Sequence, residues 1–583
     1  GDENFFRYEG GFSPSDEKAF RNYLKEKYGR IELLNQEWEE RFTSFEEVKH
    51  YPLKEAAQNR KYAAWYDHRC FMEKQYADYH HYLSRIIKEV DPQAEVGAEG
   101  SVPGNLEETI SQLEFWGPYA DKIGNELLRS IGGNRLRTNW WGGYVGSHGG
   151  RDAYPYPLWK PLLCGIVNGN SWYAAGPSSE GFLGVDFSYA EYFEKMLPRL
   201  NRLNGGLAQL LVVNSFKNDG LAVHWSPVSD AVSLLGEPFL SPKNSIGQLI
   251  DFCYRHGFHF EFLTTRMVEE GKLSGYKIFF LFGSSAITAA EKKEIEKFVS
   301  EGGIVVADMN PGILNGYGRF LKASQLNDLF GVSLRGEARF TFQPLNIDRE
   351  LRGKKIAFQA EKVQSSPEAE LFQVNQIGKG LAILLNFDLN SAFNTSSRSL
   401  FDQFLSGLLA LAEIKKDVEV SGLNEEKTVL RLRENPDFKL VGLLCAKEDV
   451  GKKLKMKLDR KYFIYRCDEG FIREGESLEE TVGEPFIVYA LFGQKQARPA
   501  VQLESSTIKR GEKVTIVFSS FTPGRIYRLR LYGPQEELFR QVCQVQKKLY
   551  QITFPCNGKP GAYRVEVTDV ATGLKETLGL KVL

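Results

Sequence analysis

The spacing of apolar and polar residues along the chain separates three kinds of segment. Residues 1 to about 205 alternate amphipathic helices, predicted at Phe20–Glu40 and Asn59–Val90, with short apolar strands. These strands run into glycine, asparagine or aromatic residues and are predicted at 94–100, 135–146 and 162–176. Strand–helix alternation with polar residues at the strand ends is typical of a (β/α)8 barrel. Residues 1–205 are therefore predicted to form the C-terminal part of a TIM-type barrel, with about five of its eight strand units.

Residues 206–412 carry the pattern of buried strands separated by helices. The helices are predicted at Ser245–His256 and Thr288–Ser300, each with a glycine just beyond its end. The strands are mainly apolar, as buried strands are, and are predicted at Leu221–Ser226, Phe258–Leu263, Lys277–Phe282 and Gly303–Asp308. This order indicates a doubly wound, flavodoxin-like α/β domain. No nucleophile motif follows Phe282, so we interpret the domain as structural.

After about residue 413 apolar and polar residues alternate with a period of two, and turn residues separate the runs. This pattern predicts strands that are buried on one face. We divide the region into a β-rich domain, 413–498, and an immunoglobulin-like β-sandwich, 499–583. Such modules usually pack against other domains or act as spacers between them, and some bind carbohydrate.

The composition of the chain narrows its possible partners. The 74 basic and 75 acidic side chains nearly cancel, which disfavours nucleic acid and anionic membranes as partners. No apolar run reaches the length of a transmembrane helix. The seven cysteines are scattered without a CxxC pair, so we expect no metal site. The glycine-rich segments lack the strand-GxGxxG-helix order of nucleotide sites, so we expect no nucleotide cofactor. The sequence leaves open whether the protein is cytoplasmic or secreted.

The N-terminal region carries the most specific motif of the chain. It begins GDENFFRYEGG and continues with a helical segment, FRNYLKEKYGRIELLNQEWEERF. This run resembles glycoside hydrolase family 42, the β-galactosidase-like branch of the retaining (β/α)8 enzymes. The residues that match the helical part of the family pattern are Phe20, Arg21, Leu24, Lys27, Tyr28, Gly29, Leu34, Asn35 and Trp38.

The resemblance implies an active site, a fold and an assembly. In the family a strand ends in Asn-Glu or Asp-Glu, and that glutamate is the general acid/base; here the matching pair is Asp2-Glu3. A strand that ends at Glu3 would be in the middle of a barrel, so we expect three further strand units upstream or on a separate chain. The family also places a glutamine-amidotransferase-like domain, used for trimer contacts, after the barrel. Residues 277–308 match that domain best, so a homo-oligomer is expected.

A retaining glycosidase needs a second carboxylate about 5 Å from the first. The family carries this nucleophile on the seventh strand, whose counterpart here, RLRTNWWGGYVG, contains no acidic residue. We predict Glu126, which follows a predicted strand and is close to Arg129, whose charge would favour the ionised carboxylate. The alternative for Glu126 is a helix-start role, and the other acidic candidates are Glu99, Glu180 and Asp152.

Aromatic residues at two predicted strand ends suggest a sugar-binding surface, because aromatic faces stack on the apolar faces of pyranose rings. They are Trp140, Trp141, Tyr144 and Trp172. Asn139 could bond sugar hydroxyls, and Glu180 occupies a place that resembles a substrate-contacting segment of the family. The alternative is a hydrophobic plug between the barrel and the next domain.

Together these features predict a retaining glycoside hydrolase that acts on β-galactosides or related β-linked sugars. The missing seventh-strand carboxylate supports a second hypothesis, a catalytically altered carbohydrate-binding or scaffolding relative. A third hypothesis is the C-terminal part of a split glycosidase that needs a partner with the first strands.

Overall fold

The structure is a computed structural model of the chain. It describes residues 6–118, 121–133, 135–141, 156–166, 168–171, 183–184, 186–236, 239, 241–336, 340–392, 398–520, 522–533, 537–544, 548–554, 556 and 558–583. The chain forms two compact units. The first contains 1–139, 218–253 and 260–415, and the second contains 140–217, 254–259 and 416–583.

Helices are concentrated in the first 411 residues of the chain. The α-helices are α1 (Pro14–Tyr28), α2 (Ile31–Trp38), α3 (Leu53–Gln58), α4 (Tyr62–Val90), α5 (Leu106–Ile110), α6 (Lys122–Ile131), α7 (Tyr156–Leu163), α8 (Glu191–Arg202), α9 (Ala208–Val213), α10 (Pro227–Ser233), α11 (Pro242–His256), α12 (Thr265–Glu269), α13 (Ala289–Glu301), α14 (Asn327–Phe330) and α15 (Arg398–Leu411). Short 3-10 helices lie at Phe45–Glu47, Glu425–Lys427 and Lys447–Asp449, and a π-helical turn lies at Leu203–Leu207.

Strands occur throughout and dominate the C-terminal region. They are β1 (Gly97–Glu99), β2 (Phe115–Gly117), β3 (Leu136–Trp141), β4 (Asn168–Ser171), β5 (Ser215–Phe216), β6 (Leu221–Trp225), β7 (Phe260–Thr264), β8 (Ile278–Leu281), β9 (Ile304–Ala307), β10 (Thr341–Leu351), β11 (Lys354–Ser365), β12 (Phe372–Ile377), β13 (Gly380–Leu385), β14 (Val418–Ser421), β15 (Val429–Asn435), β16 (Phe438–Leu444), β17 (Lys453–Arg466), β18 (Gly470–Thr481), β19 (Phe486–Phe492), β20 (Val501–Leu503), β21 (Thr507–Ile508), β22 (Lys513–Phe518), β23 (Ile526–Tyr532), β24 (Glu537–Gln544), β25 (Leu549–Thr553), β26 (Gly561–Asp569) and β27 (Lys575–Val582). The chain thus has an α/β fold with a strand-rich C-terminal region.

The helix predicted at Phe20–Glu40 is two helices, so that prediction was wrong in its continuity. Helix α1 ends at Gly29, which has φ 68° and donates its N–H to the carbonyl of Lys25. A positive φ is easy for glycine and costly for most other residues. This glycine therefore ends α1 and lets α2 begin two residues later in a new direction. The long helix predicted from Asn59 is confirmed as α4.

The first unit contains a six-stranded sheet with the order β12-β13-β9-β8-β6-β7. β7, β6, β8, β9 and β13 are parallel to their neighbours, and β12 is antiparallel at one edge. The strands predicted in this region are confirmed to within two residues. Their apolar side chains are buried because parallel strands have both faces covered. Helix α13 packs beside the sheet and contributes Ile295, Phe298 and Val299 to a core with Phe279 and Val305.

Asp308 directly follows β9 and is 1% exposed. One of its carboxylate oxygens accepts the N–H of Gly283 at 2.7 Å. Burial raises the pKa of Asp308 to about 7, although the Gly283 N–H acts in the opposite direction. The carboxyl group therefore titrates near neutral pH inside the folded unit.

We expect the Asp308→Asn variant to change how stability depends on pH. Between pH 4 and 7 the unfolded chain loses the Asp308 proton while the folded chain keeps it. Unfolding then releases a proton, so Asp308 lowers the free energy of unfolding as the pH rises, by up to about 4 kcal/mol in total. The asparagine side chain of the variant does not titrate, so the stability of the variant relative to the unchanged chain should increase from pH 4 to pH 7. Urea unfolding of both proteins across this range checks the prediction, and a constant difference would contradict it.

The second unit is rich in antiparallel strands. One sheet has the order β14-β17-β19-β16-β15-β5, with β18 paired to β17. Alternate residues of β17, such as Leu454, Met456 and Leu458, are buried, while the lysines between them are exposed. Two further sheets, β20-β22-β25 and β21-β27-β26-β23-β24, enclose a separate apolar core. The period-two pattern after residue 413 is confirmed as strands, and the division into four domains stays a prediction.

Candidate active site

Three neighbouring parallel strands, β1, β2 and β3, place three residues in one row towards their carboxyl ends. Glu99 pairs with Gly117, and the register of β2 with β3 continues that row to Thr138. Residues paired in register point to the same face of a sheet. A Cβ atom at Gly117 would lie 3.3 Å from the Cβ of Glu99 and 2.7 Å from Oγ1 of Thr138. The carboxylate and the hydroxyl thus share one face, and both residues are 4% exposed.

The opposite face of these strands is covered by helix α4. Trp116, one residue before Gly117, is fully buried. Its ring centroid lies 6.0 Å from that of Tyr76 and 5.1 Å from that of His80, both on α4. Arg137 is in register with Trp116 and belongs to the same face. The Glu99 row therefore points away from the helix, as the inner face of a closed or partly closed parallel sheet does.

The segment after β1 is held in place by buried charge. Glu73 of α4 accepts the N–H groups of Gly104 at 3.0 Å and Asn105 at 3.1 Å, and it pairs with Arg69 at 2.9 Å. The indole N–H of Trp225 donates to the carbonyl of Gly104 at 2.8 Å. Burial raises the pKa of Glu73, while Arg69 beside it acts in the opposite direction. This network fixes the chain where it leaves the carboxyl end of β1.

The structure describes only some of the predicted site residues. Glu3, Tyr144, Trp172 and Glu180 lie outside the described residues, as does Asp152. Asn139, Trp140 and Trp141 are the last residues of β3, where the backbone but not the side chains is described. The predicted strand at 135–146 is thus confirmed for residues 136–141. The roles of these residues stay predictions.

Glu126, predicted as the nucleophile, lies inside helix α6 and not directly after a strand. It is fully buried, and its carboxylate accepts from Nε of Arg129 at 2.7 Å. Arg129 also donates to both carboxylate oxygens of Glu261 at 2.8 Å and to the carbonyl of Phe260 at 2.6 Å. Burial acts to lower the pKa of Arg129, but the two carboxylates raise it overall. These contacts favour a packing role for Glu126.

Arg137, on the helix-covered face of the strands, is influenced electrostatically by Arg129, Glu126 and Glu261. Burial lowers the pKa of Arg137, and the charge of Arg129 lowers it further, whereas Glu126 and Glu261 act to raise it. Glu126 therefore interacts electrostatically with a residue on the face opposite to Glu99. The two acidic candidates belong to different layers of the unit.

The residues of the N-terminal motif converge on one buried carboxylate that sequence reasoning missed. Asp67 of α4 is fully buried and accepts three hydrogen bonds. They come from Lys27 at 2.5 Å, Tyr28 at 2.7 Å and the indole of Trp38 at 2.7 Å. The motif thus fastens α1 and α2 to α4. An acidic residue on the apolar face of the predicted α4 is the sequence signal that could have identified Asp67.

In the same unit as the six-stranded sheet, buried hydrogen bonds also join a serine, a histidine and a glutamate in series. The two ring nitrogens of His224, at the end of β6, lie 2.8 Å from Oγ of Ser284 and 2.8 Å from Oε1 of Glu291. Catalytic triads use such an order of groups. Here the three residues are 1–2% exposed, so they are sealed from substrate. We interpret these contacts as internal hydrogen bonds of the sheet.

Within the described ranges, no group of three or more His, Cys, Asp or Glu residues could hold a metal ion. Of the helices that the structure describes, none has the length and apolar content needed to cross a membrane.

The sequence itself matches a known family in its N-terminal part. A profile of glycoside hydrolase family 42, described as beta-galactosidase, matches residues 3–114. Over this range the chain is similar to glycoside hydrolase family 42, and in this sense it is called family 42-like below. The matched range contains the motif around Asp67 and extends past Glu99. No curated protein sequence matches this family 42-like chain.

Solved β-galactosidases share the fold of the family 42-like chain. The enzyme from Bacillus circulans sp. alkalophilus superposes with a TM-score of 0.62 at 14% identity, over 82% of this chain and 77% of that one. The enzyme from Rahnella sp. R3 gives 0.62 at 13% identity, over 82% and 76%. Gan42B, a GH42 β-galactosidase from G. stearothermophilus, gives 0.61 at 14% identity, over 81% and 75%. At this identity the likeness concerns the fold alone.

Proposed function

We propose that the family 42-like chain is a retaining glycoside hydrolase that acts on β-galactosides or related β-linked sugars. The observation that carries the proposal is the family match over residues 3–114, which includes Glu3 and the strand that ends at Glu99. Glu3 is the proposed acid/base. The aromatic residues Trp140, Trp141, Tyr144 and Trp172, with Asn139 and Glu180, are the proposed sugar contacts.

The architecture supports the same proposal in outline. The parallel strands β1–β3, covered on one face by α4, fit a segment of a (β/α)8 barrel. The strand order β7-β6-β8-β9-β13 fits a flavodoxin-like domain. The last two sheets enclose one core, as in a β-sandwich. We further propose that the flavodoxin-like domain mediates oligomer contacts.

Glu3→Gln should lower hydrolysis of aryl and alkyl β-galactosides by about 10²- to 10⁴-fold, the contribution of a general acid. The loss should be largest for leaving groups of high pKa, such as methanol, because these need a proton as the bond breaks. It should be smallest for 2,4-dinitrophenolate, which leaves without one. Rates for a leaving-group series, measured with the chain alone and with any upstream segment added, check this expectation.

The matched control is Glu9→Gln, which removes an exposed carboxylate six residues away and should leave the rates unchanged. Equal losses of kcat/KM for all leaving groups would contradict the acid role of Glu3, because kcat/KM reports the step in which the leaving group departs. If the unchanged chain binds galactosides but hydrolyses no member of the series, the non-catalytic carbohydrate-binding relative becomes the better description.

A further inference from the structure

One aromatic side chain of the second unit is displayed to solvent on a strained backbone. Phe187 is 76% exposed, and no other Phe, Tyr or Trp side chain that the structure describes is as exposed. Its φ is 63°, in the left-handed region, and it is the one apolar residue among the described non-glycine residues with positive φ. A bulky residue takes this conformation only where the surrounding structure imposes it. Strained residues of this kind cluster at functional sites.

A tight turn between β4 and α8 holds the ring of Phe187 in this position. An antiparallel bridge of Leu183 with Tyr189 closes the turn. Inside it, the N–H of Gly184 donates to the carbonyl of Ser188 at 2.8 Å. The N–H of Phe187 donates to the carbonyl of Gly184 at 3.0 Å. The backbone bonds of the turn therefore fix the ring outside the protein before any ligand is present.

The same turn holds a carboxylate beside the ring. Oδ1 of Asp186 accepts the N–H of Ser188 at 3.0 Å and the hydroxyl of Ser188 at 2.6 Å. A Cβ atom at Gly184 would lie 2.9 Å from this oxygen, so the turn needs glycine to admit the carboxylate. The hydroxyl and the N–H of Ser188 hold the pKa of Asp186 below its usual value. Asp186 is exposed, so its second oxygen, Oδ2, is available to accept hydrogen bonds from a ligand.

An exposed aromatic face next to an ionised carboxylate suits a sugar. The ring stacks on the C–H face of a pyranose, and a carboxylate accepts strong hydrogen bonds from hydroxyl groups. In a galactoside the axial O4 lies on one face of the pyranose, so C3–H, C4–H and C5–H form an apolar patch on the other face. Segments that follow strands supply the substrate contacts of barrel folds, and this turn follows β4 in the chain.

We propose that Phe187 and Asp186 form a galactosyl-binding contact of the family 42-like chain. The apolar face of the sugar stacks on the ring of Phe187, and sugar hydroxyls donate to Oδ2 of Asp186. The choice of a galactoside rests on the proposed function. The contact adds to the sugar contacts proposed from the sequence and involves no bond cleavage, so binding measurements test it without any hydrolysis.

A fluorine atom on the ring tests the contact in the full chain. With 4-fluorophenylalanine at position 187, titration with methyl β-galactoside should give a saturable shift of the fluorine NMR signal. Methyl β-glucoside at the same concentration should give a smaller shift, because its O4 is equatorial and its C–H patch is less continuous. The same label in place of Phe342, a 58% exposed residue of β10, should not shift.

Two results of this titration contradict the proposal. A silent label at position 187, while calorimetry shows that the galactoside binds, overturns the contact. Equal shifts with the galactoside and the glucoside overturn its assignment to a galactosyl unit.

Variants separate binding from packing. Phe187→Ala should raise the Kd for methyl β-galactoside about tenfold, the scale of one aromatic contact, and Phe187→Trp should keep the affinity. Phe187→Gly should lose the same affinity without lowering the Tm, because glycine adopts a positive φ without strain. Phe342→Ala is the matched control and should leave the Kd unchanged. A lower Tm of Phe187→Gly with an unchanged Kd would show a packing role instead.

The outcomes also separate the contact from the proposed hydrolase function. A shift of the label at position 187 without hydrolysis of the leaving-group series keeps the contact and favours the non-catalytic carbohydrate-binding relative. Hydrolysis with a silent label leaves the hydrolase function standing and overturns the contact. A chain that neither binds nor hydrolyses galactosides overturns both.

Discussion

Gly117→Ala is expected to reduce the hydrolysis of β-galactosides by at least about 100-fold while the chain stays folded. The new Cβ atom would lie 2.7 Å from Oγ1 of Thr138 and 3.3 Å from Cβ of Glu99. The first distance is shorter than any van der Waals contact, so β1 or β3 must move relative to β2. A displacement near 1 Å at reacting groups is enough for a 10²-fold loss, whereas overpacking costs only about 1–3 kcal/mol of stability.

The cause of this loss can be isolated with two further variants. Gly117→Ala combined with Thr138→Ala removes the hydroxyl that the new methyl group meets, so activity should recover relative to Gly117→Ala. Thr138→Ala alone measures any direct role of that hydroxyl. Gly483→Ala is the matched control, because a Cβ atom there meets nothing within 4 Å. Kinetics together with thermal unfolding of each variant make the comparison, and full activity of Gly117→Ala would contradict the proposed site.

Arg129→Met is expected to lower the free energy of unfolding of the first unit by about 3–5 kcal/mol, the cost of leaving a buried charge without its partner. The Glu126 side chain has no exposed surface, and Arg129 is its partner at 2.7 Å. Arg129 also bonds Glu261, whose side chain is 32% exposed. Methionine fills a similar volume, so most of the loss should come from the Glu126 carboxylate, which loses this charged partner.

A surface arginine provides the matched control for this variant. Arg266 pairs with Glu107 and Glu270, but its side chain is 60% exposed. Arg266→Met should therefore cost no more than about 1 kcal/mol. The double variant Arg129→Met with Glu126→Gln should recover much of the lost stability, because it removes the unpaired charge. Urea unfolding measures all three, and equal losses for Arg129→Met and Arg266→Met would contradict the buried-pair argument.

The pattern of the sequence predicted strands of the six-stranded sheet and the long helix α4. The mainly apolar runs at 221–226 and 303–308 form β6 and β9, because a mainly apolar run bounded by glycine and polar residues suits a strand buried on both faces. Helix α4 was predicted from a long segment in which apolar residues recur with the spacing of an amphipathic helix. The break at Gly29 was missed, since the helical pattern continues across it and only the φ of that residue reveals the turn.

The partners of buried charges were not predictable in the same way. Glu126 drew attention because Arg129 is three residues away, but the same arginine also binds Glu261, which is 132 residues from it in the sequence. Asp67 collects Lys27, Tyr28 and Trp38 from two other helices. Which carboxylate is neutralised in the interior depends on such distant groups, and no local pattern contains them.

The sequence by itself determined the local elements, the resemblance to glycoside hydrolase family 42 and the set of acidic candidates. Alternation along β1 also showed that Ala98 and Glu99 point to opposite faces, because side chains of a strand alternate. Only the tertiary structure decided which of those faces α4 covers. That choice depends on the register of β1 with β2 and on the packing of Trp116 against His80. These contacts join segments far apart in the chain, so the position of Glu99 on the face away from α4 emerges only when the sheet and its helix are assembled.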